Sequence, residues 1–175
     1  MDGVWNRRSS GLALAALVFG LDQLVKWLVT GPLGIDSIGD VQTVLPFFDL
    51  RFTQNFGISL GLFEAESNEA RWILVAGTAL IAAVVLLWML RERSGGDIFG
   101  LGLILGGAMG NILDRVLWGY VIDYADLHFG TFRPFLIFNI ADAAITIGVL
   151  IILARSFFLR DKSEDDDMQL AAKES

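Results

Sequence analysis

Apolar residues in this chain run together instead of alternating with polar ones. Trp72–Leu90 carries no charged residue. Gly11–Val29 is apolar apart from Asp22, Gln23 and Lys26. Ile98–Leu113 is slightly short but extends through Val116–Trp118, and Pro134–Ala154 is interrupted by Asn139 and Asp142. A membrane-crossing helix needs about 20 predominantly apolar residues. The pattern therefore predicts four transmembrane helices, over about 11–29, 72–90, 98–118 and 134–154. One stretch has a different period. From Phe48 to Leu62 the even positions read Phe, Leu, Phe, Gln, Phe, Ile, Leu, Leu, and the odd ones Asp, Arg, Thr, Asn, Gly, Ser, Gly. Period two is the signature of a strand with one apolar face. The expected fold is an all-α membrane protein with a small amphipathic β region at about 43–63. One membrane-embedded domain is expected over 1–160, followed by an acidic tail at 161–175.

Composition sharpens this picture. Hydrophobic residues make up 54% of the 175 positions. Arg7 and Arg8 ahead of the first apolar run resemble the start of a signal peptide. Asp22 and Lys26 inside the run, and the lack of a clean small-x-small site after it, favour a retained span. With no cysteine there is no disulfide, thiol nucleophile or thiolate metal site, and His128 is the only histidine, so a histidine-based zinc site is not expected. The net charge of −7 owes much to Glu164, Asp165, Asp166 and Asp167. Such a run predicts a solvated, disordered tail and argues against nucleic acid as a partner.

Positive charge in short loops marks the cytoplasmic side. Arg7 and Arg8 precede the first span, Arg91 and Arg93 lie between the second and third, and Arg160 and Lys162 follow the fourth. Arg51, Arg71 and Arg133 are spread over longer connections. Both termini are therefore expected inside, with residues 30–70 and about 118–134 outside.

This orientation brings polar groups to one level. Asp22 and Lys26 come late in an outward-running helix, Asp114 and Arg115 end another, and Asn139 and Asp142 begin an inward-running one. Ionisable groups inside a membrane are costly and normally face a protein interior or a wet cavity. Convergence from three helices points to a site in the outer part of the bilayer. Asn111, Asp114 and Arg115 share a helix face, as do Asn139 and Asp142. Asp123, in the connection after the third span, is placed to meet Asp142. Two carboxylates close together in a partly dry site share a proton. The ionised one takes a proton from water, while the protonated one polarises an amide carbonyl and later protonates the leaving amine.

Other polar positions have blander readings. Asp22 and Lys26, at i and i+4, form a self-compensating structural pair. Arg115 has Asp114 or another aspartate as a structural partner. Gly102, Gly106 and Gly110, with Gly107 alongside, suit close helix packing. His128, Trp118 and Tyr120 suit the membrane interface. Nothing places Ser59 near Lys26 as a nucleophile–base pair. Two rival functions are an ion- or proton-coupled transporter and a non-catalytic lipid-binding protein. The first would spread polar groups through the full membrane thickness and usually repeat its halves. The second would tolerate Asp-to-Asn changes at Asp123 and Asp142.

The blocks "GGAMGNILDRVLWGYVIDY" (106–124) and "FNIADAAITIG" (138–148) resemble the signature blocks of the lipoprotein signal peptidases, the type II signal peptidases of bacteria. "DQLVKWLV" (22–29) and "NFGISLGLF" (55–63) resemble the two earlier blocks, in the same order. The resemblance covers nearly everything but the termini. It implies an aspartyl protease that cleaves prolipoproteins just before a diacylglyceryl-modified cysteine. It further implies four helices, an extracytoplasmic β-cradle, no cofactor or metal, and membrane lipid and lipid-modified prolipoproteins as partners. A monomer in the bacterial inner membrane is expected. The catalytic aspartates carry over to Asp123 and Asp142. Asn55, Gly57, Asn111, Asp114, Arg115 and Asn139 match positions that support or line the site. Two departures bear on substrate preference. Ile58, Ser59 and Leu60 precede Gly61 where a small residue and Phe are frequent, and Arg133 replaces a common aromatic before the proline.

Overall fold

Four helices and three strands succeed one another along the chain in this computed structural model. It describes residues 2–57 and 68–173, with side chains over 6–57 and 68–158. The order is α1 (Asp2–Thr30), β1 (Val41–Leu45), β2 (Phe48–Asn55), α2 (Asn68–Arg91), α3 (Gly95–Leu117), β3 (Val121–Leu127) and α4 (Ile140–Lys173). All four helices are long and apolar enough to cross a membrane, over Asn6–Thr30, Asn68–Arg91, Gly95–Leu117 and Ile140–Phe158. Their outward faces carry exposed Leu17, Trp27, Leu80, Trp88 and Leu150, as expected of helices solvated by lipid.

The third helix is the hub and packs against the other three. Its glycines explain why. A Cβ on Gly102 would lie 2.8 Å from the Gly11 carbonyl oxygen, and one on Gly106 would lie 2.5 Å from that of Ala15, so α1 approaches backbone to backbone. Gly107 does the same for α4 at Ala141, and Gly100 faces Gly148. The glycine stripe is thus a packing device, and side-chain burial accompanies it: Leu101 and Met89 are fully enclosed between α1, α2 and α3. At the far end Arg155 donates from Nε to Asp97 at 2.9 Å, tying α4 to the start of α3.

The strands form one antiparallel sheet, ordered β1-β2-β3. The alternation in the sequence predicts the strand at 48–55, whereas 58–63 of the expected β region lies outside the described residues, as does Ser59. The third strand carries no sequence signal, because Val121 to Asp126 are all buried and no polar face alternates. Asp49 pairs with Asp126 and Asn55 with Val121, with a bulge between Leu50 and Thr53. In that bulge two residues of β2 oppose one of β3. The extra residue shifts parity, so Thr53 and Asn55 share a face with Asp123 while Leu50 stays opposite Ala125.

Two boundaries differ from the sequence reading. The last span begins at Ile140, not Pro134, because Phe138 exchanges backbone bonds with Ala125, donating at 3.1 Å and accepting at 2.8 Å. Helix α4 also runs on to Lys173, through the segment whose charge predicts a disordered tail. Helix formers such as Met168, Gln169, Leu170 and Ala171 there favour it.

Candidate active site

The site is assembled where α3 ends, β3 begins and α4 starts. Helix α3 closes with the Gly119 amide donating to the Arg115 carbonyl at 3.2 Å. Gly119 has φ +89°, a conformation glycine takes without a Cβ penalty. Arg71 of α2 donates from Nε to the Arg115 carbonyl at 2.7 Å and also reaches that of Val116, satisfying the last carbonyls of the helix. The chain then turns directly into β3 and presents Asp123 four residues later.

Helix α4 starts with a reciprocal cap. Asn139 accepts the Asp142 N–H on Oδ1 at 2.9 Å, and Asp142 accepts the Asn139 N–H on Oδ2 at 3.3 Å. This is the capping box with aspartate three residues after the cap. The Asn139 amide nitrogen is left free to point outward from the helix, and it donates to Asp123 Oδ1 at 2.7 Å. Asn139 therefore touches both aspartates. Asn55 donates to the other Asp123 oxygen at 2.9 Å, while its own Oδ1 accepts the Gly57 N–H at 2.8 Å. Asn111 donates to Asp142 Oδ1 at 2.8 Å. Five expected site residues thus form one connected network across β2, α3, β3 and α4.

Asp123 is 2% exposed, whereas Asp142 is partly open to its surroundings. Burial, and next the charge of Asp142, push the Asp123 carboxyl up to about 7, against two amide donors that lower it. A cavity of about 670 Å³ opens beside Asp123, walled by Asn55, Gly57, Arg133 and residues 134–137. Another, of about 660 Å³, lies beside Asp142, bounded by Asn55, Phe138, Thr146 and Ile147. Asn55 and the 134–137 segment border both, so the aspartates sit between two adjoining spaces.

Asp114 does not pair with Arg115. Its Oδ2 lies 2.7 Å from Lys26 Nζ and accepts the Ile122 N–H at 3.1 Å. Lys26 also binds Asp22 at 2.7 Å, and Asp22 accepts the Ala141 N–H at the α4 start at 3.0 Å. Gln23 bridges the two carboxylates, 3.2 Å from Asp22 and 2.9 Å from Asp114. The sequence flags Asp22 and Lys26 as a structural pair, but not the third member; Gln23 stood out only as an amide within an apolar run. Arg115 makes no ion pair among the described residues. It reaches the Asn111 carbonyl at 3.4 Å, its Nε is buried without a partner, and it runs past Gly57, whose missing Cβ would lie 3.1 Å from Nη2. His128 is not simply interfacial: its Nε2 lies 3.1 Å from Asp49 Oδ2 in a mostly buried position. No group of His, Cys, Asp or Glu among the described residues has metal-binding geometry.

The family profile for signal peptidase (SPase) II matches residues 14–158. This chain belongs to the signal peptidase II family. The lipoprotein signal peptidase of Sphingopyxis alaskensis is 52% identical over 90% of each chain. That of Rhizorhabdus wittichii is 51% identical over 88% of this chain and 89% of its own. Among solved structures, a bacterial membrane enzyme determined by the in meso method at 2.3 Å matches with a TM-score of 0.72 and 28% identity, over 89% of this chain and 91% of the other. A second, at 1.9 Å, gives a TM-score of 0.74 and 27% identity, over 86% and 94%. Membership of a signal peptidase family makes this chain a peptidase with multiple membrane spans, and the transporter reading finds no support among its relatives.

Proposed function

We propose that this signal peptidase II is an aspartyl endopeptidase of the bacterial inner membrane. It removes the signal peptide of prolipoproteins on the N-terminal side of a diacylglyceryl-modified cysteine, with Asp123 and Asp142 as the catalytic pair. The observation that carries the reading is Asn139, which is hydrogen-bonded to both aspartates at the mouth of two cavities. Asp123, the more enclosed of the two, holds the proton near neutral pH. Asp142 sits in the first turn of α4, where it accepts the Asn111 side-chain amide and the Asn139 N–H.

The chemistry comes from that division. Asp142 takes a proton from a water molecule, and the resulting hydroxide attacks the scissile carbonyl carbon. Asp123 donates its proton to the carbonyl oxygen as that oxygen becomes negative. When the tetrahedral intermediate collapses, Asp142 gives its proton to the leaving amine of the modified cysteine, and Asp123 recovers its own. The neutral donors Asn55, Asn111 and Asn139 hold both carboxylates in place without adding charge. The substrate, anchored by its signal helix and lipid, brings its scissile bond to the same level as the pair, and such positioning lowers the barrier by several kcal/mol.

Incubating purified protein with a lipidated prolipoprotein tests this. Signal-peptide release is expected from the wild type, and Asp123→Asn and Asp142→Asn should each abolish it while remaining folded. More than a small residual turnover in either variant would overturn the pair. In this reading both termini lie in the cytoplasm and the aspartates face outward. Cysteines introduced at Ser37 and Ser94 should then react with an impermeant thiol reagent from outside and inside respectively; the reverse pattern would invert the orientation.

A further inference from the structure

Arg133 stands apart from the catalytic network but forms part of the wall of the Asp123 cavity. Its Nε donates to Asp126 at 2.9 Å to Oδ1 and 3.2 Å to Oδ2. Arg51 donates to the same carboxylate, from Nε to Oδ2 at 3.1 Å. Asp126 is 1% exposed, whereas the Arg133 side chain is 44% exposed. The carboxylate therefore anchors the guanidinium by its inner edge. The terminal nitrogens of Arg133 have no protein partner among the described residues. Two guanidinium groups against one carboxylate leave a net positive charge, tempered by Asp49 opposite Asp126 in the sheet.

The two cavities divide the space around the aspartates. The one beside Asp142 descends along α4 past Thr146 and Ile147 and is walled mainly by apolar residues. The one beside Asp123 rises along β2 past Thr53 and Gln54 to Arg133. With the signal helix against the apolar wall along α4, the polypeptide that continues into the mature protein would leave on the sheet side, past Arg133. We propose that Arg133 is a specificity residue that reads charge in the first residues after the modified cysteine, favouring carboxylate-bearing over cationic side chains. This rests on the peptidase reading of the chain. Arg51 shares the same carboxylate but does not line the cavity, so it supplies the control.

The test uses lipidated prolipoproteins identical except for the second residue after the modified cysteine, which is Glu, Gln or Lys. Because the pair is solvent-accessible, wild-type kcat/KM should favour Glu over Lys by about threefold, mostly through KM. Arg133→Gln should erase the preference, Arg133→Glu should reverse it, and Arg133→Lys should retain it. The lysine variant keeps the question answerable should the glutamine variant misfold. Arg51→Gln should leave the preference intact. Equal wild-type cleavage of the three substrates, an unchanged preference in Arg133→Gln, or its equal loss in Arg51→Gln would each overturn the assignment. Failure of the wild type to cleave any of them would instead overturn the peptidase reading beneath it.

Discussion

Replacing Lys26 by methionine removes the cation at the buried centre of the bundle while nearly conserving volume. Lys26 is 3% exposed, and its Nζ lies 2.7 Å from both Asp22 and Asp114, which are 0% and 1% exposed. Those carboxylates tie α1 to the α4 start through the Ala141 amide, and α3 to β3 through the Ile122 amide. Taking away one partner of a buried charge cluster leaves the others uncompensated and typically costs about 3–5 kcal/mol. For a chain of 175 residues, that corresponds to a fall of roughly 10 °C in Tm. Thermal unfolding in detergent micelles measures it.

The same physics predicts recovery. Adding Asp22→Asn and Asp114→Asn to Lys26→Met removes the stranded charges while keeping the acceptor oxygens for Ala141 and Ile122, and should restore most of the loss. A fall of under about 2 °C in the single variant, or no recovery in the triple one, would refute the view that Lys26 offsets charge in this cluster. Because Asp114 holds the amide next to Asp123, the single variant should also cleave more slowly at temperatures where it is folded.

Asp123 has a raised folded-state pKa of about 7, so its contribution to stability is fully present below its unfolded value near 3.8 and is lost as pH rises through about 7. Asp123→Asn should remove that decline in unfolding titrations, and wild-type turnover should fall above about pH 7 as the proton donor ionises. Gly57→Ala should impair cleavage: φ is +75° there, which costs an L-residue about 1–2 kcal/mol, and the new methyl would press on Arg115, so kinetics should fall further than stability. Arg115→Lys should fold but turn over poorly, since a lysine lacks the planar fork that passes Gly57 and reaches the Asn111 carbonyl; near-normal turnover would reduce Arg115 to packing.

The spans were legible because lipid imposes a length on apolar runs, and the glycine stripe because its spacing matches a helix face. Other features escaped the pattern for identifiable reasons. Pro134–Phe138 reads as more of the fourth span, since it is as apolar as the helix beyond it. It stays irregular because Phe138 pairs with β3 and Asn139 caps the helix. Asn139 and Asp142 were visible as a shared helix face, although at that spacing they are equally a capping pair, and the cap is what frees the Asn139 amide for Asp123. β3 left no trace because a strand buried on both faces has no alternation. The bulge that turns Asn55 toward Asp123 depends on pairing with that hidden strand, so periodicity within β2 alone did not reveal it.

The partner of Asp114 was the least legible feature, and it determines how the polar centre works. Sequence adjacency favours Arg115, but consecutive helical residues point about 100° apart, whereas α1 passes close enough across Gly106 and Gly110 for Lys26 to reach Asp114. The consequence is a separation of charge. Asp22 and Asp114 share Lys26 as their ion-pair partner within the bundle. Asp123 and Asp142 receive hydrogen bonds from Asn55, Asn111 and Asn139, none of them charged, and no cation among the described residues lies within ion-pair distance of either. A lysine at that distance would favour ionisation of both carboxylates and leave no proton to give. Amide donors orient them without adding charge, while burial and then the charge of Asp142 raise the Asp123 carboxyl. Lys26 thus ties Asp22 and Asp114 between the helices, while Asp123 and Asp142 are held by amide donors, as the proposed acid–base chemistry requires.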